Sequence, residues 1–282
     1  MVRGTGIGAI LVIAVMSSGC SLGLGADSAA GPNPPAGRRG AQRQYVQTDT
    51  GRWLVHDMNR PVPPVVDPGP EPAPVRAPSD AMVLFDGTEA SLANWSDTQG
   101  NPSRWRIGEG FMESVKGAGS IQTKAQFGSC QLHVEFATPS RVQGSSQGRG
   151  NSGVFLQGMY EVQVLDSYEN RTYADGQCAA LYGRAVPLVN ACRPPGQWQT
   201  FDILYHRPTF GPDGRVVRKA IFTVLHNGVL VQDHVELEGG TGWVGPYAVT
   251  DYVAHGDKGP IQLQDHSNPV RFRNIWIRPL ND

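Results

Sequence analysis

The chain lacks most of the signatures that announce a catalytic class. Its four cysteines form no Cys-x-x-Cys pair, and no His-x-x-x-His occurs, which excludes the common zinc modules and the zinc-protease helix. The Gly-x-Ser-x-Gly spacing occurs at Gly19–Gly23, at the end of the export signal, and at Gly144–Gly148, in a Gln/Ser/Gly run with no helix after it, so neither reads as the strand-to-helix elbow of a serine nucleophile. The "GRGNSG" run at Gly148–Gly153 opens no helix and therefore reads as a loop rather than a phosphate cradle. Neither charge sign is in excess: the formal net charge is −1, too little to hold a nucleic acid, and none is expected as a partner. No apolar run is long enough to cross a bilayer comfortably. No amphipathic helix exceeds a few turns, and no segment repeats.

Glycine (35) and proline (22) are what the chain has in quantity, the composition of tight turns and of linkers. The linkers come first. Arg3, the apolar "IGAILVIAVM" and the small residues before Cys20 have the order of a bacterial lipoprotein signal. Residues 1–19 are expected to be that signal and Cys20 the lipidated first mature residue. The departure is Ser17, where an aliphatic residue is usual, and ordinary secretion is the alternative. Acylation would tether the protein to the cell envelope without spanning it. Residues 20–79 are expected to be a low-complexity tether. Within it, residues 44–60 carry Tyr45, Trp53, Leu54 and Val55 and can dock as a short strand or a lid. The following proline-rich run reads as a polyproline-type spacer. Export favours disulfides. A bridge between Cys178 and Cys192 is the favoured pairing, contributing roughly 3 kcal/mol in the chain-entropy model, with other pairings open.

Residues 80–282 read as short strands between turn signals. "CQLHVEFATP" alternates, with Leu132, Val134 and Phe136 on one side and Gln131, His133 and Glu135 on the other. Asn227-Gly228 between two apolar runs marks a hairpin. In the last strand, Val270 and Phe272 have opposite parity to Ile275 and Ile277, which requires two covered faces or a bulge near Arg273-Asn274. About a dozen strands at this spacing predict an all-β jelly-roll sandwich.

Two stretches place polar groups on one face of otherwise apolar strands, where they are costly unless they line water or a polar ligand. In "YEVQVLDS", Glu161 and Gln163 share a face. A bulge at Val164-Leu165 would bring Asp166 to it as well. The pattern resembles the Glu-x-Asp-x-x-Glu strand of family 16 glycoside hydrolases, but Gln163 and Asp166 replace two of the acids that retaining hydrolysis needs at fixed separation. In "IQLQDHSNPVRFRN", Gln262, Gln264 and His266 are followed by Arg271 and Arg273, expected to share that polar face across a hairpin. A solvated face is the plain alternative in both stretches. Tyr182 and the Trp243-containing loop are the best aromatic stacking surfaces for a sugar. Metal donors are weakly signalled: Glu161, His266, and the His255–Asp257 "HGD".

Taken together, "LFDGTEASLANW", "NSGVFLQGMYEVQVLDS", "ALYG", "GQWQTFDI", "LHNGVLV" and "GPIQLQDHSNPVRFRNIWIRPL" resemble the 3-keto-disaccharide hydrolase domain family over about residues 82–280. Ser267 stands where members usually have Gly, and Gln199 where they often have Asn. The resemblance implies a concanavalin-like jelly roll acting on glycosides already oxidised at C3. There, a base removes the acidified C2 proton, the C1–O bond breaks by elimination, and water adds back for net hydrolysis. Such chemistry needs one base, an enolate stabiliser and a proton for the leaving oxygen, not two spaced carboxylates. In that frame Glu161 is the base or metal ligand and His266 a second acid, base or ligand. Gln163 and Gln264 orient hydroxyls, with Asp166 and Arg271 as further substrate contacts. Arg273 offsets enolate charge and Tyr182 donates to a sugar oxygen. One divalent metal is the only cofactor the resemblance implies. A non-catalytic carbohydrate-binding module on the same scaffold, or a surface adhesion domain, are the competing readings.

Overall fold

The computed structural model describes residues 45–48, 51–71 and 73–281. The expected signal, the lipidated Cys20 and the tether up to residue 43 lie outside the described residues. In chain order the strands are β1 (Tyr45–Thr48), β2 (Gly51–Leu54), β3 (Met82–Phe85), β4 (Trp95–Asp97), β5 (Arg106–Ile107) and β6 (Met112–Glu113). There follow β7 (Ile121–Thr123), β8 (Cys130–Ala137), β9 (Ser152–Leu156), β10 (Tyr160–Val164), β11 (Gln199–His206) and β12 (Thr209–Phe210). The last are β13 (Val216–Arg218), β14 (Ile221–His226), β15 (Val229–Glu236), β16 (Gln262–Leu263) and β17 (Arg271–Pro279). One four-residue helix, Glu89–Leu92, is capped by Thr88, whose side chain accepts from the Ser91 amide.

Two antiparallel sheets face each other. The smaller runs β10-β9-β16-β7-β4; the larger runs β15-β14-β11-β8-β17-β6-β5, with β3 also paired to β17. Alternation explains the layering. Val162 and Val164 of β10, Val154 of β9 and Leu263 of β16 point inward, as do Leu132, Val134 and Phe136 of β8 and Phe201 and Ile203 of β11, all fully buried. Tyr160 of β10 meets Tyr205 of β11 across the interface, ring centroids 6.1 Å apart. The β14–β15 hairpin turns at Asn227-Gly228 with positive φ at both residues (54° and 79°), as its twist demands. Of the two readings of the β17 parity change, the bulge is present. Register against β8 shifts between Arg273 and Trp276, and Asn274 has φ 46°. The extra residue lets both Phe272 and Ile275 face the core.

Two expectations need correction. The proline-rich run is not a free spacer but a strap along the sandwich. Val65 bridges Asn190 in parallel, Arg193 donates to the Gly69 and Pro70 carbonyls, and the Val75 amide donates to Glu135. Proline's missing donor suits a strand that pairs intermittently at an edge. The second concerns the expected Cys178–Cys192 bridge, which is not formed. Both are free buried thiols beside His226, one donor atom of each lying within 4.8 Å of the others. Burial, then the Cys178 hydrogen bond, pushes the Cys192 thiol well above its ordinary range.

Candidate active site

β10 is not an exposed edge. The Gln163 amide donates to Ala180 O (2.9 Å), the Ala179 amide to Gln163 O (2.8 Å) and the Tyr182 amide to Glu161 O (3.3 Å). The segment carrying Tyr182 thus continues the sheet, and Glu161 is 6% exposed. Cross-strand register assembles the outer face. Glu161 lies opposite Phe155, Phe155 opposite Gln262, and Gln262 opposite Gln122. One row along, Gln163 lies opposite Gly153, whose carbonyl accepts from the Gln264 amide (3.0 Å). Glu161, Gln163, Gln262, Gln264 and Gln122 therefore form one polar face, as alternation predicts for the first four.

Glu161 fits because position 153 has no side chain. A Cβ there would overlap Glu161 Oε1 and the Phe155 ring. Gly153→Ala is expected to push the carboxyl out of place and cost about 1–3 kcal/mol of overpacking, measurable as a lower urea midpoint at unchanged m-value. With its nitrogen turned toward Ser152 O (3.2 Å) and Glu161 Oε1 (3.0 Å), the Gln163 amide satisfies both acceptors. Burial disfavours the charged form and pushes the Glu161 carboxyl up to about 8.

Around Glu161 stands a wall that no periodic pattern foretold. Its backbone amide donates to Thr241 Oγ1 (2.8 Å). The Gln147 side chain lies 2.9 Å from that of Gln163 and packs against Gly176 beside Tyr173. The Tyr173 and Tyr182 hydroxyls share a hydrogen bond of 2.6 Å. Burial first, and the nearby Glu161 charge among the lesser causes, raise both phenols above their ordinary value. They remain protonated donors. His56 packs against Tyr173, Tyr182 and exposed Trp243, with centroids at 4.6, 5.2 and 5.2 Å. His56 and Arg60 thus dock this segment on Tyr173, Tyr182 and Asp175.

The other expected residues are dispersed. His266 is exposed, three residues past β16 and two strands from β10. Strand spacing and rise put it on the order of 15 Å from Glu161. Asp166 is buried but lies beyond the end of β10, its carboxylate accepting from Arg149 Nε (2.6 Å). Burial raises it while Arg149 pulls the other way. The pair borders an open hollow of about 150 Å³ with Gly150, Ser267 and Asn268. The anticipated Val164-Leu165 bulge is not part of β10, which ends at Val164.

Arg271 and Arg273 do not join the Gln264 face. β16 and β17 belong to different sheets, and the chain between them crosses the sandwich instead of forming a hairpin. Arg273 lies on the outer face of the larger sheet. It donates to Glu135 (2.6 Å) and sits 4.0 Å from the Trp198 ring centroid. Arg271 donates to Gly196 O. The four candidate metal donors also fail to converge. His255 is engaged by Tyr160 OH (2.7 Å), whose parity is core-facing, and Asp257 by Arg207 (2.6 Å). These residues do not fit a shared divalent ion.

The fold is thus an antiparallel jelly-roll sandwich with a sunken carboxyl on a polar, aromatic-walled outer face. The sequence pattern of the 3-keto-alpha-glucoside-1,2-lyase-like domain spans residues 80–278, and the chain belongs to that family. A candidate glycosyl hydrolase from Parabacteroides distasonis is 45% identical, with TM-score 0.70, covering 78% of this chain and 93% of that one. A second from the same organism is 20% identical (TM-score 0.51, 72% and 94% covered) and shows the fold alone. No curated protein matches the chain.

Proposed function

We propose that the protein is an exported enzyme cleaving 3-keto-glycosides by elimination, with Glu161 as the base. The observation that carries this reading is a carboxyl raised to about 8 on the polar face of a family domain. Retaining glycosidases need two ionisable carboxylates roughly 5–5.5 Å apart, and Gln163 holds the place of a second acid. A single base suffices once a C3 ketone acidifies C2–H. Glu161 takes that proton, and the C–H electron pair moves toward the ketone oxygen. The enolate then expels the C1 oxygen, to which the proton on Glu161 is delivered. Water addition completes hydrolysis. Tyr173 and Tyr182 supply donors, and Gln163, Gln262 and Gln264 read hydroxyls. Lipid anchoring through Cys20 would hold this activity at the bacterial envelope.

A 3-keto-glucoside with a chromogenic aglycone tests the reading against the same glucoside unoxidised. Release is expected from the keto form only. Because the base must be ionised, kcat/KM should climb about tenfold per pH unit and level off near pH 8. Saturable sugar binding without release at any pH would instead assign a lectin-like module.

A further inference from the structure

We propose that His56, supplied from upstream of the family domain, is a catalytic residue of the Glu161 site whose imidazole N–H donates to the C3 oxygen as the enolate forms. The inference rests on the 3-keto-glycoside reading above. His56 lies outside the family pattern, which begins at residue 80. Yet it is 8% exposed, and both ring nitrogens are buried with no hydrogen-bond partner among the described residues. A histidine kept in this state loses hydrogen bonds to water without replacement, the arrangement expected of a group reserved for a ligand.

Its position is over-determined. The His56 amide donates to both oxygens of buried Asp175 (3.2 and 3.0 Å), and Arg60 pairs with the same carboxylate at 3.8 Å. The backbone at His56 is held at φ 60°, a conformation a histidine rarely adopts, and Val55 beside it is buried. Gly183, next to Tyr182, leaves the room: a Cβ there would stand 3.2 Å from His56 Nε2. Tyr173 and Tyr182, whose rings pack on the imidazole, are the phenols that feel the Glu161 charge. Burial lowers the His56 pKa, against the Asp175 charge, so the ring works as a neutral donor. It keeps its proton throughout. The only proton moved is the one Glu161 takes from C2 and returns to the leaving oxygen, and the charge His56 meets is that on the enolate oxygen.

Two variants of the full chain separate chemistry from packing. His56→Phe keeps an aromatic ring against Tyr173, Tyr182 and Trp243 but removes both nitrogens. His56→Gln loses the ring but keeps an N–H. Each is assayed on the chromogenic 3-keto-glucoside, with thermal unfolding as the control for fold. Loss of one oxyanion donor predicts about a hundredfold lower kcat for His56→Phe, with KM changed less than about threefold and recovery of at least tenfold in His56→Gln. Activity of His56→Phe near wild type, or above that of His56→Gln, would overturn the inference and leave the reaction standing. No turnover by wild type would overturn both.

Discussion

Glu161→Gln is expected to cut turnover of a 3-keto-glycoside by about a hundredfold to ten-thousandfold, the range a lost general base commands, while making the protein more stable at alkaline pH. The two effects have one cause. The folded-state carboxyl titrates at about 8 against an ordinary 4.5. Stability attached to the neutral form is therefore complete below pH 4.5 and is lost as pH rises through 8. In wild type the ionised carboxylate above that point costs on the order of a few kcal/mol. Glutamine never ionises and keeps the contact with Gln163. Thermal unfolding of the two proteins should coincide near pH 4 and separate by ~5–10 °C at pH 9, the variant higher. A variant that is both inactive and less stable at pH 9 would mean that Glu161 is a structural ion pair rather than a desolvated base.

Glu135→Ala should cost about 3–5 kcal/mol, the penalty for stripping a partner from a buried charge cluster. On the outer face of the larger sheet, Glu135 accepts from Arg273 (2.6 Å), Asn274 (2.7 Å) and the Val75 amide (3.3 Å). It also stands 3.6 Å from His133, which is wholly buried, stacked on Trp276 and bonded to Asp202 (2.7 Å). Burial opposes both charges. Even so, hydrogen bonds and the opposite charges pull Glu135 down to about 2 and push His133 up to about 9. The Glu135 contribution is present above pH 4.5 and fades as pH falls toward 2; that of His133 is present below 6.5 and fades as pH rises through 9. The cluster is strongest between pH 4.5 and 6.5. Because Val75 and Asn274 pin the strap there, the variant should also become open to proteolysis within residues 70–78. Urea unfolding with an unshifted midpoint would refute the assignment.

Much of this was legible along the chain because a strand's side chains alternate with period two. That rule alone places Leu132, Val134 and Phe136 inside, and Glu161 and Gln163 together on the other face. It also exposed the parity change in β17, for which a bulge was one of two readings and is the one the register shows. It failed at Arg271 and Arg273, where parity was read correctly and the sheet was not. Period two says which residues share a face of one strand; it does not say which sheet the strand joins. His56 escaped for a related reason. Its relevance depends on a docking contact more than a hundred residues away in sequence, and a lone histidine before a proline-rich run has no pattern to reveal that.

What the sequence by itself determined is therefore local and repetitive: an all-β chain, its turns, the faces of its strands, and a polar row with one acid at its head. Tertiary structure decided which rows meet. It sent the arginines to the far side of the sandwich and left His266 in solvent. It sank Glu161 deep enough to hold its proton near neutrality and brought an upstream imidazole to its phenols. The reason is physical: alternation is written in neighbouring residues, whereas desolvation and non-local pairing exist only once distant segments exclude water together.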